Sequence, residues 1–311
     1  MSQVRYVSNT DINRVKWDTC IKAAINSRIY AMSWYLDIVS DQWDAVIYGD
    51  YQMVFPVVYK QKYFIKKLYY PLFCQQLGFF TNENHLFDDR LIISEIINCI
   101  KSKFFFGMQF SITSEFSENI VNIYKWNYNV DKRINVELSL NKSYNFLSKS
   151  YSVNLKRKLK KQLSHNLSIA DNLDVPFFVA EFRKYVGPLT GLKNRDYSIM
   201  TKLINAILKH GFGQLLSVYN NDGIIISTAF IVSFQSREIL LFNYSHPEFK
   251  KYDGMTFLID WYIKKNASFN KIMDFEGSNL DGIRRFYLSF GGLEIYYYLF
   301  TRSLFNRNFI F

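Results

Sequence analysis

Cysteine, histidine and long apolar runs are scarce in this 311-residue chain, and each scarcity excludes a class of protein. The three cysteines, Cys20, Cys74 and Cys99, lie far apart without a CxxC pair, which predicts reduced thiols and not a disulfide framework. Four scattered histidines form no metal-ligand pattern, so no metal is expected. No apolar run approaches the roughly 20 residues that cross a bilayer, and no signal-peptide core follows Met1. We therefore expect a cytoplasmic protein.

Aromatic residues and cations are abundant instead. The chain has 29 Phe and 23 Tyr, and its hydrophobic content of 49% excludes a disordered protein. Residues 1–140 hold 15 Lys and Arg against 14 Asp and Glu, whereas residues 141–311 hold 23 against 13. This asymmetry predicts an anionic partner for the second half: cofactor phosphates, a nucleic acid or a membrane surface. The alternative is that the cations only keep an aromatic-rich fold soluble.

The length predicts about two domains, and hydrophobic periodicity divides the chain into two α/β units, 1–142 and 143–311. The order of elements is similar in the two units, but no residue repeat can be aligned. In the first unit we expect helices over 12–25, 34–39, 88–101 and 117–124, and strands over 4–7, 43–48, 51–58, 104–112 and 133–140.

In the second unit the same reasoning predicts helices over 156–161, 177–185, 197–210, 256–265 and 282–290. Strands are expected over 212–219, 223–234, 238–245, 272–275 and 293–301. The four residues Asn220 to Gly223 are a strong turn signal between the first two of these strands. The fold class is therefore α/β with mixed sheets.

The C-terminal stretch carries the most specific pattern. The run Phe286-Tyr287-Leu288-Ser289-Phe290-Gly291 resembles the end of the last helix in GNAT-type N-acyltransferases. With Asp274-Phe275-Glu276-Gly277-Ser278 and Gly282-Ile283 before it, the stretch resembles the FemABX-like branch more specifically. In the first half, Ser33-Trp34-Tyr35 and Gln75-Gln76-Leu77-Gly78 are also similar to that branch. FemABX-like proteins have two GNAT-like domains and include aminoacyl-tRNA-dependent peptidyltransferases of cell-wall synthesis.

The resemblance implies two tandem GNAT-like domains, 1–142 and 143–311, with the donor site in the second. In GNAT folds the donor's phosphates lie on backbone N–H groups where a loop enters a helix. The matching loop is Phe249 to Thr256, in which Lys251 replaces the usual Gln or Arg and Thr256 the usual last glycine. Asp253 would lie close to bound phosphate, which weakens the case for acetyl-CoA. The alternative is a plain loop from strand to helix. The implied cofactor-binding residues are Lys250, Lys251, Gly254, Met255 and Thr256.

Three residues are candidates for catalysis. Tyr287 aligns with the tyrosine that protonates the leaving group in many GNAT enzymes, a role that suits a phenol of pKa about 10; the alternative is a packing role in the core. Asp274 and Glu276 alternate along one strand, so they are expected on one face, where they could accept a proton from an amine. Alternatively, Glu276 caps the turn and Asp274 pairs with Arg284 or Arg285.

The run Lys156-Arg157-Lys158-Leu159-Lys160-Lys161 places five cations within six residues. It is interpreted either as a solvated helix face or as a clamp for the phosphates of tRNA or of a nucleotide-linked substrate. FemABX-like chains carry a basic segment at this position, which favours the clamp. The predicted phosphate-binding residues are Lys156, Arg157 and Arg284.

The leading hypothesis is an N-acyltransferase whose donor is acyl-CoA or aminoacyl-tRNA. Its acceptor would be an amine-bearing small molecule or a cell-wall precursor, in cell-envelope or small-molecule metabolism. The tRNA-using enzymes often carry a long coiled-coil arm, and no heptad run of that length is present here. A catalytically inactive GNAT-like protein that binds an anionic ligand or a protein partner is the second hypothesis. A nucleic-acid-binding module, the third, rests on charge alone.

Overall fold

The structure, a computed structural model, describes residues 3–63, 65–104, 106–116 and 128–303. The chain divides into two compact units: one is formed by residues up to Arg133 with those from Tyr296 onward, and the other by Ile134–Ile295. The chain passes from one unit to the other within the strand Asn129–Ser139 and again within Leu293–Ser303. The domain boundary at residues 142 and 143 stays a prediction.

The first unit contains antiparallel strands and helices. Four strands pair in the order β1-β2-β3-β4, β5 pairs with β3, and β6 pairs with β13, each pair being antiparallel. The elements are β1 (Val4–Val7), α1 (Arg14–Ala23), α2 (Ser33–Val39), β2 (Trp43–Tyr48), β3 (Met53–Lys62), β4 (Ile65–Leu68), β5 (Phe80–Thr81), α3 (Arg90–Lys103), β6 (Gly107–Ile112), β7 (Asn129–Ser139) and β13 (Leu293–Ser303), the last two shared with the second unit.

Helix α3 shows how the sequence pattern builds this unit. The carboxylate of Asp89 accepts hydrogen bonds from the backbone N–H groups of Leu91 and Ile92, which satisfies donors that the first turn leaves free. Four isoleucines at helical spacing are buried against the strands: Ile93, Ile96, Ile97 and Ile100. Leu91, another apolar residue of this helix, is 79% exposed, because the buried side is centred on Ile93 and Ile97.

The second unit is a mixed sheet with the strand order β7-β12-β11-β10-β9-β8. Strands β11 and β12 are parallel, and the other pairs are antiparallel. Its elements are α4 (Tyr144–Lys149), α5 (Val153–Gln162), β8 (Ser168–Ala170), α6 (Val175–Tyr185), α7 (Gly187–Thr190), α8 (Asn194–Lys209), β9 (Gly213–Tyr219), β10 (Ile225–Phe234), β11 (Arg237–Ser245), α9 (Gly254–Asn266), β12 (Ile272–Asp274) and α10 (Asp281–Leu288).

Helices cover both faces of this sheet. Phe242 of β11 pairs in register with Phe230 of β10 and contacts Phe182 of α6. Ala229, next to Phe230, belongs to the core cluster that contains Leu258 of α9. Since neighbouring residues of a strand point to opposite faces, α6 and α9 lie on opposite sides of the sheet.

Most of the elements expected from the sequence are confirmed, with bounds shifted by a few residues. The expected helix over 117–124 lies outside the described residues. Five short elements were not predicted: β4, β5, β8, α4 and α7. Each has six residues or fewer, too short to show a period. The observed fold is α/β with mixed sheets, which confirms the fold class predicted from the sequence. Within the described ranges, no helix is long and apolar enough to cross a membrane.

Candidate active site

The second unit contains a cavity of about 940 Å³ where two parallel strands part. The last paired residues are Ile239 of β11 and Asp274 of β12, and β11 continues to Ser245. The side chains of Phe242, Asn243 and Tyr244 point alternately to the two faces of the sheet, yet all three line the cavity. The cavity therefore follows the open edge of β11. The other walls come from α6, α7, β10, the loop before α9, the turn after β12, α10 and Lys158 of α5.

The loop before α9 has the geometry of an anion site at a helix start. Asp253 has a positive φ of 51°, and Gly254 is the first residue of α9. A Cβ at Gly254 would lie 2.7 Å from Ser227 Oγ and 3.0 Å from Ile226 Cδ1, so only glycine allows the helix to begin this close to β10. The N–H groups of the first helical turn have no intrahelical partners and can bind an anion.

Helix α5 holds this loop in place. The Lys158 ammonium lies 2.5 Å from the Asp253 carboxylate, and the Gln162 side chain donates to the carbonyl oxygens of Tyr252 and Asp253 at 3.1 and 2.7 Å. The Lys158 ammonium therefore neutralises the Asp253 carboxylate, which on its own would repel a bound phosphate. Because Lys158 also lines the cavity, it adds a cation beside the helix start.

Four of the five residues predicted to bind the cofactor line the cavity: Lys250, Gly254, Met255 and Thr256. The fifth, Lys251, does not line it; its ammonium lies 5.1 Å from the centre of the Tyr252 ring, a cation–π contact.

Tyr287 lies in the cavity wall, close to the open edge of β11. The residue is 5% exposed, and its ring stacks on that of Phe275 with 4.7 Å between the centroids. Burial raises the pKa of Tyr287 to about 12; a hydrogen bond with the Asn243 side chain acts against this shift, and the Glu276 carboxylate adds to it. At neutral pH the phenol is protonated and can donate a hydrogen bond to a group in the cavity. Its neighbours also make it a packing residue, so the two interpretations from sequence are not exclusive.

Glu276 lines the cavity from the turn that follows β12. It has a positive φ of 44°, which a residue with a Cβ rarely adopts, and Gly277 follows with φ 60°. The turn is held because the Glu276 N–H donates to the Asp274 carboxylate at 3.3 Å and the Ser278 hydroxyl donates to the Glu276 carbonyl at 3.1 Å. Strain of this kind is often found at functional sites, where surrounding contacts fix it.

Asp274, the third predicted catalytic residue, does not line the cavity. It is fully buried and accepts hydrogen bonds from Arg237 at 3.0 Å and from Asn135 at 2.8 Å. Arg237 also pairs with Glu137 at 2.8 Å. The strand alternation that put Asp274 and Glu276 on one face does not apply, because β12 ends at Asp274. Its cation is Arg237, and among the described residues Asp274 pairs with neither Arg284 nor Arg285, the partners of the alternative interpretation.

The three residues predicted to bind phosphate, Lys156, Arg157 and Arg284, do not line the cavity. Arg284 pairs with Asp281 at 2.6 Å and with Glu294 at 3.4 Å. Lys156 and Arg157 are exposed on α5; the first donates to the Lys149 carbonyl and the second to Asn154. The cation of the basic run that reaches the cavity is Lys158 instead.

Two cavity residues, Lys158 and Asn243, were not singled out from the sequence. Asn243 interrupts the apolar strand Ile239-Leu240-Leu241-Phe242, and a lone polar residue in such a strand is a usable signal. Lys158 lies three residues after Leu155 and four before Gln162, both buried, so helical spacing puts it at the edge of the inner side of α5. Among the residues that the structure describes, no cluster of His, Cys, Asp or Glu could hold a metal ion.

Several solved structures share this fold. FemX superposes with a TM-score of 0.69 at 13% identity, over 96% of this chain and 97% of FemX. A tandem GNAT protein from the clavulanic acid biosynthesis pathway gives 0.56 at 7% identity, over 98% and 100%. The C-terminal domain of a putative lysylphosphatidylglycerol synthetase from Agrobacterium fabrum gives 0.54 at 10% identity, over 95% and 93%.

By sequence, no protein-family model and no curated protein matches the chain. At these identities the structural similarity shows the fold alone. The chain therefore has the tandem GNAT-like fold that FemX also has, as the FemABX-like pattern at its C-terminus predicted.

Proposed function

We propose that this protein is an N-acyltransferase that moves an acyl or aminoacyl group to an amine in the cavity of the second unit. The observation that carries the proposal is that Tyr287, Glu276 and the start of α9 all line one cavity, where β11 and β12 part. A hydrogen-bond donor, a carboxylate and an anion-binding helix start are the groups that acyl transfer to an amine requires.

Each group has a distinct part in the reaction. The Glu276 carboxylate accepts a proton from the incoming ammonium, which frees the nitrogen lone pair. The nitrogen attacks the acyl carbon, a C–N bond forms, and the bond from the acyl carbon to the leaving sulfur or oxygen breaks. The Tyr287 hydroxyl donates its proton to the leaving atom and regains one from the nitrogen as the amide forms, and the Asn243 side chain orients this hydroxyl.

The donor of this proposal is acyl-CoA, a thioester, or aminoacyl-tRNA, a ribose ester. The raised pKa of Tyr287 keeps the phenol protonated at neutral pH, so that it can supply a proton to the leaving atom of either donor.

Either donor carries phosphates, for which the same residues are proposed. The N–H groups at the start of α9 would bind one phosphate, with Lys250 and Lys158 as the cations of this part of the wall. Gly254 keeps the helix start close to β10, and the Lys158–Asp253 pair keeps the acidic side chain from repelling the ligand. The proposed acceptor is an amine-bearing small molecule or a cell-wall precursor.

The experiment supplies both donors and a panel of amines. Purified protein is incubated with acetyl-CoA or with charged tRNA together with amino acids, amino sugars and lysine-bearing peptides, and release of free CoA or of uncharged tRNA is measured. We expect Tyr287→Phe to lower turnover by roughly 10²- to 10⁴-fold, and Glu276→Gln to do the same.

The matched control is Tyr262→Phe, which removes a buried hydroxyl outside the cavity wall, bonded to Glu238 at 2.6 Å. It should lower the free energy of unfolding by about 1–3 kcal/mol and leave turnover unchanged. Full turnover in Tyr287→Phe would make Tyr287 a packing residue. A wild-type protein that binds a donor without consuming it across the whole panel would favour the inactive binding protein.

A further inference from the structure

The segment around α4 and α5 is the most one-sided in charge, and the cavity does not account for it. Residues 138–170 hold seven Lys and Arg and no Asp or Glu. One of the seven, Lys158, is used by the pair with Asp253 at the cavity. The other six are exposed and form no ion pair with a carboxylate of the described residues; five of them lie on α4 and α5, namely Lys149, Lys156, Arg157, Lys160 and Lys161.

Helix geometry brings these cations to one surface. Leu155 and Gln162 are buried on the inner side of α5, and the four exposed cations of this helix occupy its outer side. The Lys156 ammonium lies 2.7 Å from the Lys149 carbonyl, so the end of α4 adjoins the first turn of α5. Phe146 precedes Lys149 by three residues on α4 and therefore lies on the same side of that helix.

Large apolar side chains are exposed among these cations. Val153, the first residue of α5, is 85% exposed, and Leu163, which follows its last turn, is 82% exposed. Phe146 is 57% exposed. The basic patch is defined here as the five cations together with Phe146, Val153 and Leu163. A face that is merely in contact with water would explain the cations, but it would not explain three exposed apolar side chains among them.

We infer that the basic patch docks on the surface of a membrane that contains anionic lipid. Lys and Arg side chains near such a surface are attracted by the phosphates of the headgroups. Phe, Val and Leu side chains between them can enter the boundary between headgroups and acyl chains, as the apolar residues of interfacial helices do. An RNA backbone would also attract the cations, but it would leave the apolar side chains in water. The inference does not depend on the proposed reaction.

Binding to vesicles tests the electrostatic part of this inference. The protein is sedimented with vesicles of phosphatidylcholine alone or of phosphatidylcholine and phosphatidylglycerol in equal parts. We expect binding only to the anionic vesicles, and a loss of affinity of about 25-fold in Lys160→Gln/Lys161→Gln, a factor of about five for each cation. The matched control is Lys202→Gln/Lys209→Gln, two exposed lysines of α8, which should bind as the wild type does.

A second variant tests the apolar part and separates a membrane from RNA. Phe146→Ser/Val153→Ser/Leu163→Ser should weaken binding to anionic vesicles by at least roughly tenfold, with the salt dependence unchanged. The same variant should bind unfractionated tRNA as the wild type does.

Three results would overturn the inference. The first is that the wild type does not bind anionic vesicles. The second is that the α5 and α8 variants lose affinity for these vesicles equally. The third is that the apolar substitutions leave binding to the vesicles unchanged. Retention of tRNA that depends on Lys160 and Lys161, without vesicle binding, would assign the patch to RNA instead. Circular dichroism and the melting temperature of each variant show whether a loss reflects unfolding.

Discussion

The charge pair between Lys158 and Asp253 gives the sharpest test of the proposed phosphate site. The two side chains are 2.5 Å apart next to the start of α9, and together they are neutral. Lys158→Gln leaves a negative charge at the helix start, whereas Asp253→Asn leaves a positive one. Asn tolerates the positive φ of 51° at this position, so the second change adds no backbone strain.

The size of the effect follows from Coulomb's law. A phosphate about 7 Å from a unit charge interacts with it by about 2.4 kcal/mol at an effective dielectric constant of about 20. The two side chains are 38% and 24% exposed, and screening by solvent brings this to about 1 kcal/mol. Each unit of charge therefore changes the dissociation constant of an anionic ligand by about fivefold.

Isothermal titration with coenzyme A and with uncharged tRNA measures this series. We expect Asp253→Asn to bind about fivefold more tightly than the wild type, Lys158→Gln about fivefold more weakly, and the double variant close to the wild type. Affinities that do not follow the charge at these two positions would refute the assignment of phosphate to this loop. The assignment would also be refuted if the wild type bound neither coenzyme A nor uncharged tRNA.

Two further predictions concern stability. Arg237→Met removes the cation that faces the buried carboxylates of Asp274 and Glu137, so the free energy of unfolding in urea at pH 7 should fall by about 3–5 kcal/mol. A loss below 1 kcal/mol would contradict this. Burial raises the pKa of Tyr287 and of Tyr244 to about 12, so their phenols bind protons more tightly when folded than when unfolded. This stabilisation is complete below pH 10 and is lost as the pH rises from about 10 to 12, by about 3 kcal/mol for each residue. Urea unfolding across this range, with tyrosinate absorbance as a second signal, measures the loss; an unchanged free energy would contradict it.

Local sequence determined the elements of this protein. Helices and strands follow from periods of 3.6 and 2 residues, which depend on neighbours within one or two turns. The same local information located the loop at Gly254 and the helix with Tyr287, because a glycine before an apolar helix and an aromatic pair before Gly291 are short motifs. Their shared position at one cavity followed from a family resemblance and not from the period.

Tertiary structure decided which charged side chains pair with one another at and near the site. Lys158 meets Asp253 across 95 residues, and Arg237 meets Glu137 across 100 residues and Asp274 across 37. No local pattern encodes such pairs, because they depend on which strands become neighbours and where those strands part. Asp274 is drawn into the sheet by Arg237 and Asn135, while Glu276, two residues later, turns into the cavity because the strand has ended. The sequence determined which carboxylates were available, and the end of one three-residue strand decided which of them lines the cavity.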